Sequence, residues 1–303
     1  MALADSNGHE RHGVSAIRIA ALMTCHNRIV CTTQSVRALK AQTIPGVSVD
    51  LFLVDDGSRD GTAQAVRDLW PHATILIGDG TLFWCGGVRW AFEEAIRKGY
   101  EFYFWLNDDT TLDQDALARM LDTYRTVSTG ANDATVIVGS TRDPKTGLFT
   151  YGGWSQYRKP TSLISWRKTP PSMDVPLACE TMNGNCVLIA QSVVDRIGNI
   201  DEAFVHSMGD LDYGLRAIKS GCRIFIAPGY YGTCSTNDQS ASKAASPTPL
   251  SIRWKRLLGP KRFPVKAWRV FTHRHKGPLW FLAWLAPYLL FWVKAIASPQ
   301  KDH

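Results

Sequence analysis

Two adjacent carboxylates follow an apolar segment in the middle of the chain. Residues 102–106 are aromatic or apolar throughout, and Asn107, Asp108 and Asp109 come directly after them. Carboxylate and amide oxygens are the ligands that a hard divalent cation takes, and such a cation often shares them with the phosphates of a substrate. The same residues also suit a polar turn that caps a helix. On their own they leave a metal site and a capped turn both open.

A second acidic pair, Asp55 and Asp56, ends another apolar segment, within the sequence LVDDGSRDGT at residues 53–62. Gly57 permits a tight turn there, and Asp60 can cap the helix that follows. A turn and a cap do not account for two acids at the end of a strand. Carboxylates in this place can accept hydrogen bonds from a nucleotide base or a ribose hydroxyl, whereas direct contact with phosphate is repulsive without a metal.

Gly86 and Gly87 lie in the sequence GDGTLFWCGGVRWAF, just ahead of a predicted helix that contains Arg89. Glycines before a helix N-terminus let a nucleotide approach the backbone closely. A pair of glycines is a weak signal on its own, and a plain surface position for Arg89 stays open.

Strands and helices alternate regularly through the first half of the chain. Periodicity and turn signals predict strands at 17–23, 48–54, 74–77 and 102–106, and helices at 30–41, 62–69 and 88–98. Repeated βαβ units imply the α/β class, with a mostly parallel sheet and helices on both faces. The polar strand ends, residues 24–28, 55–58 and 107–110, should then gather along one edge of the sheet, where ligands bind in such folds.

The composition excludes other classes of protein. With 303 residues and 45% hydrophobic content, the chain can bury a sizeable core and is not a disordered protein. Its seven cysteines are scattered, odd in number and without a CxxC pair, which argues against zinc sites and a secreted disulfide framework. Residues 1–15 are polar and lack the apolar core of a signal peptide, so we interpret them as a flexible leader and expect a cytoplasmic protein.

Residues 241–303 differ in charge from the rest of the chain. They hold twelve Lys and Arg against one acid, a net charge of +11, whereas residues 1–240 carry −4. They also hold five Trp and an uncharged run of 17 residues, Gly277 to Val293, which Pro287 interrupts. This pattern favours a helix at a membrane surface, because the run is at the lower limit of the roughly 17–25 residues that span a bilayer. A spanning helix and a buried helix remain alternatives, and without a recognition motif we expect no nucleic-acid partner.

The motifs, taken together, resemble a known family. TCHNR, VDDGSRDGT, GDGTLFWCGGVRWAF, WLNDDT and NIDEAFVHSMGDLDYGLRAIKSG are similar, in order and spacing, to elements of the inverting glycosyltransferases of family 2, which have the GT-A fold. The resemblance covers about residues 17–231. Its LFW-Gly-Gly and LNDD variants are similar to the bacterial rhamnosyltransferase-like branch that builds surface polysaccharides. It implies a GT-A domain at 16–240, and the charge and Trp content of residues 241–303 predict a basic, Trp-rich helical extension after it.

The resemblance also implies roles for individual residues. Asp56 matches the acid of the family that contacts the nucleotide base, and Asp109 matches the second acid of its DxD metal motif, which implies Mg²⁺ or Mn²⁺ as cofactor. Asn107 stands where the first acid would be, and an amide supplies less charge to a cation. A metal-binding histidine found late in the sequence of some relatives has no clear match here; His206 is a weak candidate, and a plain loop residue is the favoured alternative for it. The remaining residues assigned to the donor side are Thr24, His26, Asn27, Arg28, Asp55, Gly86, Gly87, Arg89 and Asp108.

Asp210, in the sequence MGDLDYGLR, is the predicted catalytic base. The family usually has Glu-Asp at this point, whereas this chain has Gly209 followed by Asp210. Asp212 is a competing carboxylate, but residues two apart on a helix point about 200° from each other, so only one can face the donor. The dipole at a helix N-terminus favours the ionised form that a base requires. Asp210 as a mere N-cap stays open, as does Arg216 as a phosphate ligand or as a partner of Asp212.

The function expected from the resemblance is inverting transfer of a sugar from a nucleotide-diphospho-sugar, dTDP-rhamnose or a UDP-sugar, to a saccharide. The extension implies a lipid-linked acceptor and a peripheral position on the inner face of the cell membrane, in bacterial surface polysaccharide synthesis. A nucleotidyltransferase and a non-catalytic nucleotide-sugar-binding protein are the alternatives. The motifs specify neither donor sugar, acceptor nor oligomeric state.

Overall fold

The structure is a computed structural model that describes residues 16–130, 133–158, 164–236 and 249–297. The predicted leader at 1–15 and the first eight residues of the extension lie outside the described residues. The strands are β1 (Ile17–Cys25), β2 (Val47–Asp55), β3 (Thr74–Ile77), β4 (Phe102–Leu106), β5 (Thr111–Leu112), β6 (Thr135–Arg142), β7 (Gly153–Arg158), β8 (Ile164–Thr169), β9 (Leu177–Ala178), β10 (Thr181–Met182), β11 (Cys186–Ala190) and β12 (Arg223–Thr233). The helices are α1 (Ile29–Lys40), α2 (Thr62–Leu69), α3 (Phe83–Lys98), α4 (Ala116–Val127), α5 (Gln191–Ile197), α6 (Gly209–Lys219), α7 (Leu250–Leu257), α8 (Val265–His275) and α9 (Trp280–Ala297).

The central sheet has the strand order β3-β2-β1-β4-β11-β6-β12-β5, and β9 pairs with β12 beside it. The long strands β1, β2, β4, β6 and β12 run in one direction, together with β3, and β11 runs against them. Every residue of β4 and β11 is buried, because helices cover both faces of the sheet. The predicted α/β class with a mostly parallel sheet is confirmed.

The elements predicted in the first half agree with the structure to within two residues at each boundary, with one exception. Helix α3 begins at Phe83, whereas the sequence pattern predicted a start at Val88. The glycine pair therefore lies inside the helix and not ahead of it.

Helices α7 to α9 form the described part of the extension. Ala267, Phe271 and Thr272 of α8 are buried against the rest of the protein, so α8 is part of the folded unit. Helix α9 has no buried residue, although its 18 residues are long and apolar enough to cross a membrane. A small second sheet, in the order β10-β7-β8, completes the described architecture.

Candidate active site

A cleft of about 620 Å³ opens at the carboxyl ends of β1, β2 and β4. The polar strand ends that the sequence pattern predicted to meet do so here: Thr24, Asp56 and Asn107 all line this cleft. The N-terminus of α6 and the connection between α7 and α8 form its other walls. The remaining lining residues are Cys25, His26, Arg28, Gly80, Phe83, Trp84, Asp108, Asp109, Tyr151, Asn183, Gly184, Asn185, His206, Ser207, Met208, Asp210, Leu211 and Lys261.

The buried Asp56 carboxylate holds the start of α3. Its Oδ1 accepts hydrogen bonds from the backbone N–H groups of Gly80 at 2.8 Å and Leu82 at 3.3 Å, and its Oδ2 accepts one from Phe83 at 2.9 Å. A carboxylate from the neighbouring strand end thus satisfies N–H groups at the start of the helix, which accounts for its early start. Asp55 closes the turn after β2, since its Oδ1 accepts the N–H of Ser58 at 2.8 Å.

The predicted glycine pair serves packing inside α3. A Cβ on Gly87 would lie 2.1 Å from Thr24 Oγ1, so only glycine lets α3 approach β1 at this point. The expectation that Gly86 and Gly87 precede the helix was wrong, because Asp56 starts the helix four residues earlier than Gly87. Neither glycine lines the cleft, and Arg89 lines a separate depression beside Asn199.

The loop after β1 is fixed on the loop after β2. His26 Nδ1 donates to the carbonyl oxygen of Asp56 at 2.6 Å, and Asn27, with a φ of 50°, donates its backbone N–H to Ser58 Oγ at 2.8 Å. The Asn27 side-chain oxygen accepts the N–H of Arg59 at 2.8 Å. Of the predicted loop residues, His26 therefore lines the cleft, while Asn27 buttresses the loop.

Arg28 bridges the two acids after β4. Its Nη1 donates to Asp108 Oδ1 and its Nη2 to Asp109 Oδ2, both at 2.9 Å. Burial raises the pKa of Asp108 to about 7, although the guanidinium of Arg28 opposes the shift. Asn107 has a separate partner, because its Oδ1 accepts the indole N–H of Trp84 at 2.6 Å.

Of the side-chain oxygens after β4, those of Asp109 are the best placed to bind a metal cation. Among the described residues no group of three or more His, Cys, Asp and Glu side chains is placed to hold a metal ion. The amide oxygen of Asn107 is taken by Trp84, whereas Asp109 Oδ1 accepts only the thiol of Cys234, at 3.4 Å. A divalent cation therefore fits beside Asp109 if it replaces Arg28 as the positive partner of the two carboxylates, with bound phosphate oxygens completing its ligands.

Asp210 faces the cleft from the first turn of α6. Its Oδ1 accepts the N–H of Leu211 at 2.9 Å and its Oδ2 accepts the N–H of Gly184 at 3.2 Å. Burial nevertheless raises the pKa of Asp210 above its usual range. The helix N-terminus and its N–H groups favour the carboxylate, as expected, but desolvation disfavours it more strongly.

The glycine that precedes Asp210 has a packing reason. A Cβ on Gly209 would lie 2.6 Å from Cys85 Sγ and 3.2 Å from Ile200 Cγ2. The glutamate common at this position in the resembled family does not fit here, so this departure from the pattern follows from the close packing of α6 on α3.

Asp212 belongs to a buried ion cluster behind α6. Its carboxylate is 0% exposed and accepts hydrogen bonds from Arg216 Nε at 2.8 Å, Arg274 Nη1 at 2.7 Å and His275 Nε2 at 2.8 Å. Arg274 also pairs with Asp201 at 2.7 Å. We refer to these five residues as the α6–α8 ion cluster. Asp212 is thereby unable to act as a base in the cleft, and Arg216 is its partner, one of the two alternatives left open by the sequence.

The surroundings of His206, Trp84 and Lys261 in the cleft were not predicted from the sequence. Burial, helped by the charge of Lys261, lowers the pKa of His206 to about 4, and the buried Nδ1 of this ring has no hydrogen-bond partner among the described residues. Trp84 lies in the quoted LFW-Gly-Gly motif and was recognisable as unusual. Lys261 was one of twelve basic residues in the extension, and nothing distinguished it.

A family model described as glycosyl transferase family 2 matches residues 20–179, more than half of the chain. The chain belongs to glycosyl transferase family 2. Two curated relatives are uncharacterised proteins, Rv1525 of Mycobacterium tuberculosis and Mb1552 of Mycobacterium bovis. Each is 27% identical over 150 residues, which is 48% of this chain and 50% of the relative. The chain thus matches about half the length of these family members.

Solved structures of two glycosyltransferases have the same fold. Staphylococcus aureus TarS 1–349 in complex with UDP-GlcNAc is 14% identical, with a TM-score of 0.56 over 84% of this chain and 66% of that one. The mannosyltransferase PcManGT of Pyrobaculum calidifontis, in complex with GDP-Man and Mn²⁺, is 14% identical, with a TM-score of 0.54 over 90% and 69%. At this identity the likeness shows the fold alone, and it confirms the predicted GT-A architecture of this family 2 chain.

Proposed function

We propose that the protein transfers a sugar from a nucleotide-diphospho-sugar to a saccharide hydroxyl, with inversion at the anomeric carbon. The observation that carries this proposal is the position of Asp210, a carboxylate with a raised pKa in the cleft that Asp56 and Asp109 also line. Inversion requires the acceptor to attack the anomeric carbon on the face opposite the departing diphosphate. A donor held against the strand ends and a base on another wall of the cleft would permit this attack. Membership of glycosyl transferase family 2 supports the same reaction.

The donor nucleotide would bind between the loops after β1 and β2. The carboxylate of Asp56 has about four acceptor positions and uses three of them on backbone N–H groups, which leaves capacity for one bond from a base or ribose. Thr24 and His26 line the same part of the cleft. The ordered backbone of these loops would let the nucleotide bind without a large change of shape.

Asp109, with Asp108 beside it, would hold Mg²⁺ or Mn²⁺ once the donor binds, as the Mn²⁺ complex of the structural neighbour suggests. When bound, such an ion supplies positive charge that stabilises the departing diphosphate. Until then Arg28 pairs with both carboxylates, at 2.9 Å from each. Donor binding then requires Arg28 to release at least Asp109, and the freed guanidinium is available to the diphosphate.

Asp210 would accept the proton of the acceptor hydroxyl as its oxygen bonds to the anomeric carbon and the bond to the diphosphate breaks. A base is most effective when its pKa approaches the working pH, so the upward shift of the Asp210 pKa favours this role. Asn183 lines the cleft beside Asp210 and would orient acceptor hydroxyls.

A panel of donors tests the proposal. UDP-GlcNAc, GDP-mannose and dTDP-rhamnose would be titrated into the protein by calorimetry, with Mn²⁺ and with EDTA, and the anomeric configuration of any product would be read by NMR. We expect one donor to bind with micromolar affinity and to yield the inverted anomer. Binding without turnover would leave a nucleotide-sugar-binding protein. Release of pyrophosphate when a nucleoside triphosphate is supplied together with a sugar phosphate would indicate a nucleotidyltransferase.

The extension suggests a membrane-associated enzyme with a lipid-linked acceptor. Helix α9 exposes Leu289, Leu290 and Val293, and basic residues precede it along the chain. Exposed apolar side chains next to cations suit an anionic membrane surface. We propose that α9 lies in the plane of the membrane on the cytoplasmic face, which would bring the cleft close to a lipid-linked saccharide of a bacterial surface polysaccharide.

Flotation with vesicles of phosphatidylglycerol and phosphatidylcholine tests the membrane role. Leu289→Asp combined with Leu290→Asp should abolish flotation, because it places two charges on the apolar face. The matched control is Leu148→Asp, at an equally exposed leucine outside the extension. Flotation of the double variant at the level of the control would refute the membrane role. Deletion of the extension is unsuitable as a test, since it would also remove Arg274 and His275 from Asp212.

A further inference from the structure

Lys261 reaches the active-site cleft from the connection between α7 and α8. This connection is held in place at both ends, because Ser207 Oγ donates to the carbonyl oxygen of Pro260 at 2.9 Å and the hydroxyl of Tyr288 donates to that of Phe263 at 3.0 Å. Lys261 lines the cleft on the side of His206. The C-terminal extension thus contributes a side chain to the site as well as an apolar helix.

The charges that line the cleft make this lysine distinctive. Four carboxylates line the cleft, those of Asp56, Asp108, Asp109 and Asp210, against two strongly basic side chains, Arg28 and Lys261. Arg28 is committed to two of the carboxylates. Among the described residues Lys261 makes no ion pair, so it is the one cationic side chain of the lining that is free to meet an incoming anion.

A second observation concerns His206, which lines the cleft on the same side as Lys261. The ring of His206 is deprived of a partner at Nδ1, and the charge of Lys261 is one of the two causes that lower the pKa of this histidine. With His206 neutral and Lys261 unpaired, this side of the cleft carries positive charge, whereas the wall after β4 has two carboxylates and one guanidinium.

We propose that Lys261 binds the diphosphate group of a substrate, so that the extension completes the active site. This inference rests on the proposed function. An ammonium is a compact point charge that suits phosphate oxygens. The diphosphate can come from the nucleotide-sugar donor or from a lipid diphosphate that carries the acceptor, because the connection that holds Lys261 lines the cleft and also contacts α9 through Phe263 and Tyr288.

Two binding assays separate the two sources. UDP, dTDP and GDP probe the donor side by calorimetry, and farnesyl diphosphate in detergent probes the lipid side by tryptophan fluorescence, with farnesol as its phosphate-free match. Lys261→Ala should weaken the affinity for one of the two kinds of diphosphate at least tenfold, since a hydrogen bond to a charged group contributes about 1.5–3 kcal/mol. Lys261→Arg should recover most of the affinity. Lys266→Ala, at an exposed lysine on α8 outside the cleft lining, is the matched control.

The outcomes distinguish this inference from the proposed function. If wild-type protein binds a diphosphate and Lys261→Ala binds it equally well, Lys261 has no such role while the function stands. An equal loss in Lys266→Ala would show a general charge effect and would also overturn the inference. If wild-type protein binds no diphosphate of either kind, both proposals fail.

Discussion

The cleft and the α6–α8 ion cluster both contain carboxylates and basic side chains, but carboxylates predominate in the cleft and basic side chains in the cluster. In the cleft four carboxylates meet two cations, and Lys261 and the Nδ1 of His206 have no partner among the described residues. In the ion cluster Asp201 and Asp212 meet two arginines and a histidine, and every carboxylate is paired. Charge that is fully paired inside the protein fixes the structure, whereas charge left unbalanced in a cleft is available to a substrate.

Helix α6 separates the two regions. Asp210 and Asp212 are two residues apart and point about 200° from each other, so one faces the cleft and the other the cluster. Burial raises the pKa of Asp210, whereas hydrogen bonds from His275, Arg216 and Arg274 lower that of Asp212 in spite of its burial. The same residue type on one helix thus lines the cleft on one face and belongs to a paired ion cluster on the other.

The largest effect should come from removing the base on the cleft face. Asp210→Asn should lower the rate of transfer by about 10²- to 10⁴-fold, because general base catalysis contributes that much. The affinity for the donor should change less than twofold. Kinetics on the donor identified by the panel measure both quantities, and Asp174→Asn, at an exposed aspartate, is the control. Transfer by Asp210→Asn at the wild-type rate would remove the catalytic assignment.

The next effect should come from the opposite face of the same helix. Asp212→Asn should lower the free energy of unfolding by about 3–5 kcal/mol, because it leaves Arg216 and Arg274 without their buried partner. Urea denaturation measures the loss. The control is Asp122→Asn, whose pair with Arg125 is more than half exposed and should contribute at most about 0.5 kcal/mol. Equal losses in the two variants would contradict the distinction between cleft and cluster.

A smaller effect should appear at the acid pair after β4. Asp109→Asn should weaken donor binding about tenfold in Mn²⁺, the effect of one lost charged contact, and should leave binding in EDTA nearly unchanged. Calorimetry under the two conditions makes the comparison within one variant. A similar loss in both conditions would assign Asp109 to the loop structure through Arg28 and not to a metal.

The smallest effect should be a change in pH dependence. The pKa of His206 is about 4 in the folded protein and near 6.5 when unfolded, so the unfolded chain binds the proton first and stability falls as the pH drops from about 6.5 to 4. His206→Gln should remove this loss. The difference in free energy of unfolding between pH 8 and pH 5 should therefore be smaller for the variant than for wild type. Because solvent reaches part of the ring, we expect about 1 kcal/mol. Urea denaturation at the two pH values measures it, and an unchanged slope would contradict a neutral, unpaired ring in the cleft.

Contacts that are local in sequence were predictable, and distant ones were not. The strands at the start of the chain are apolar runs bounded by turn residues, so their positions and their shared edge followed from the pattern. The start of α3 did not, because Asp56 supplies its hydrogen bonds from 27 positions before Phe83. Nor did the partners of Asp212, since Arg274 lies 62 residues away. Asp210 was found through the motif, but the direction of its pKa shift depended on burial, which a motif does not contain.

The partners of Asp212 have a consequence for synthesis of the chain. Arg274 follows Asp212 by 62 residues, and ribosomes add roughly 5–20 residues per second, so α6 waits about 3–12 s for the cation that neutralises its inner face. During that interval Asp212 has Arg216 of the same helix as its one cationic partner in the ion cluster. Helix α9 begins six residues after Arg274, so the ion cluster becomes complete just before the helix proposed to meet the membrane is synthesised.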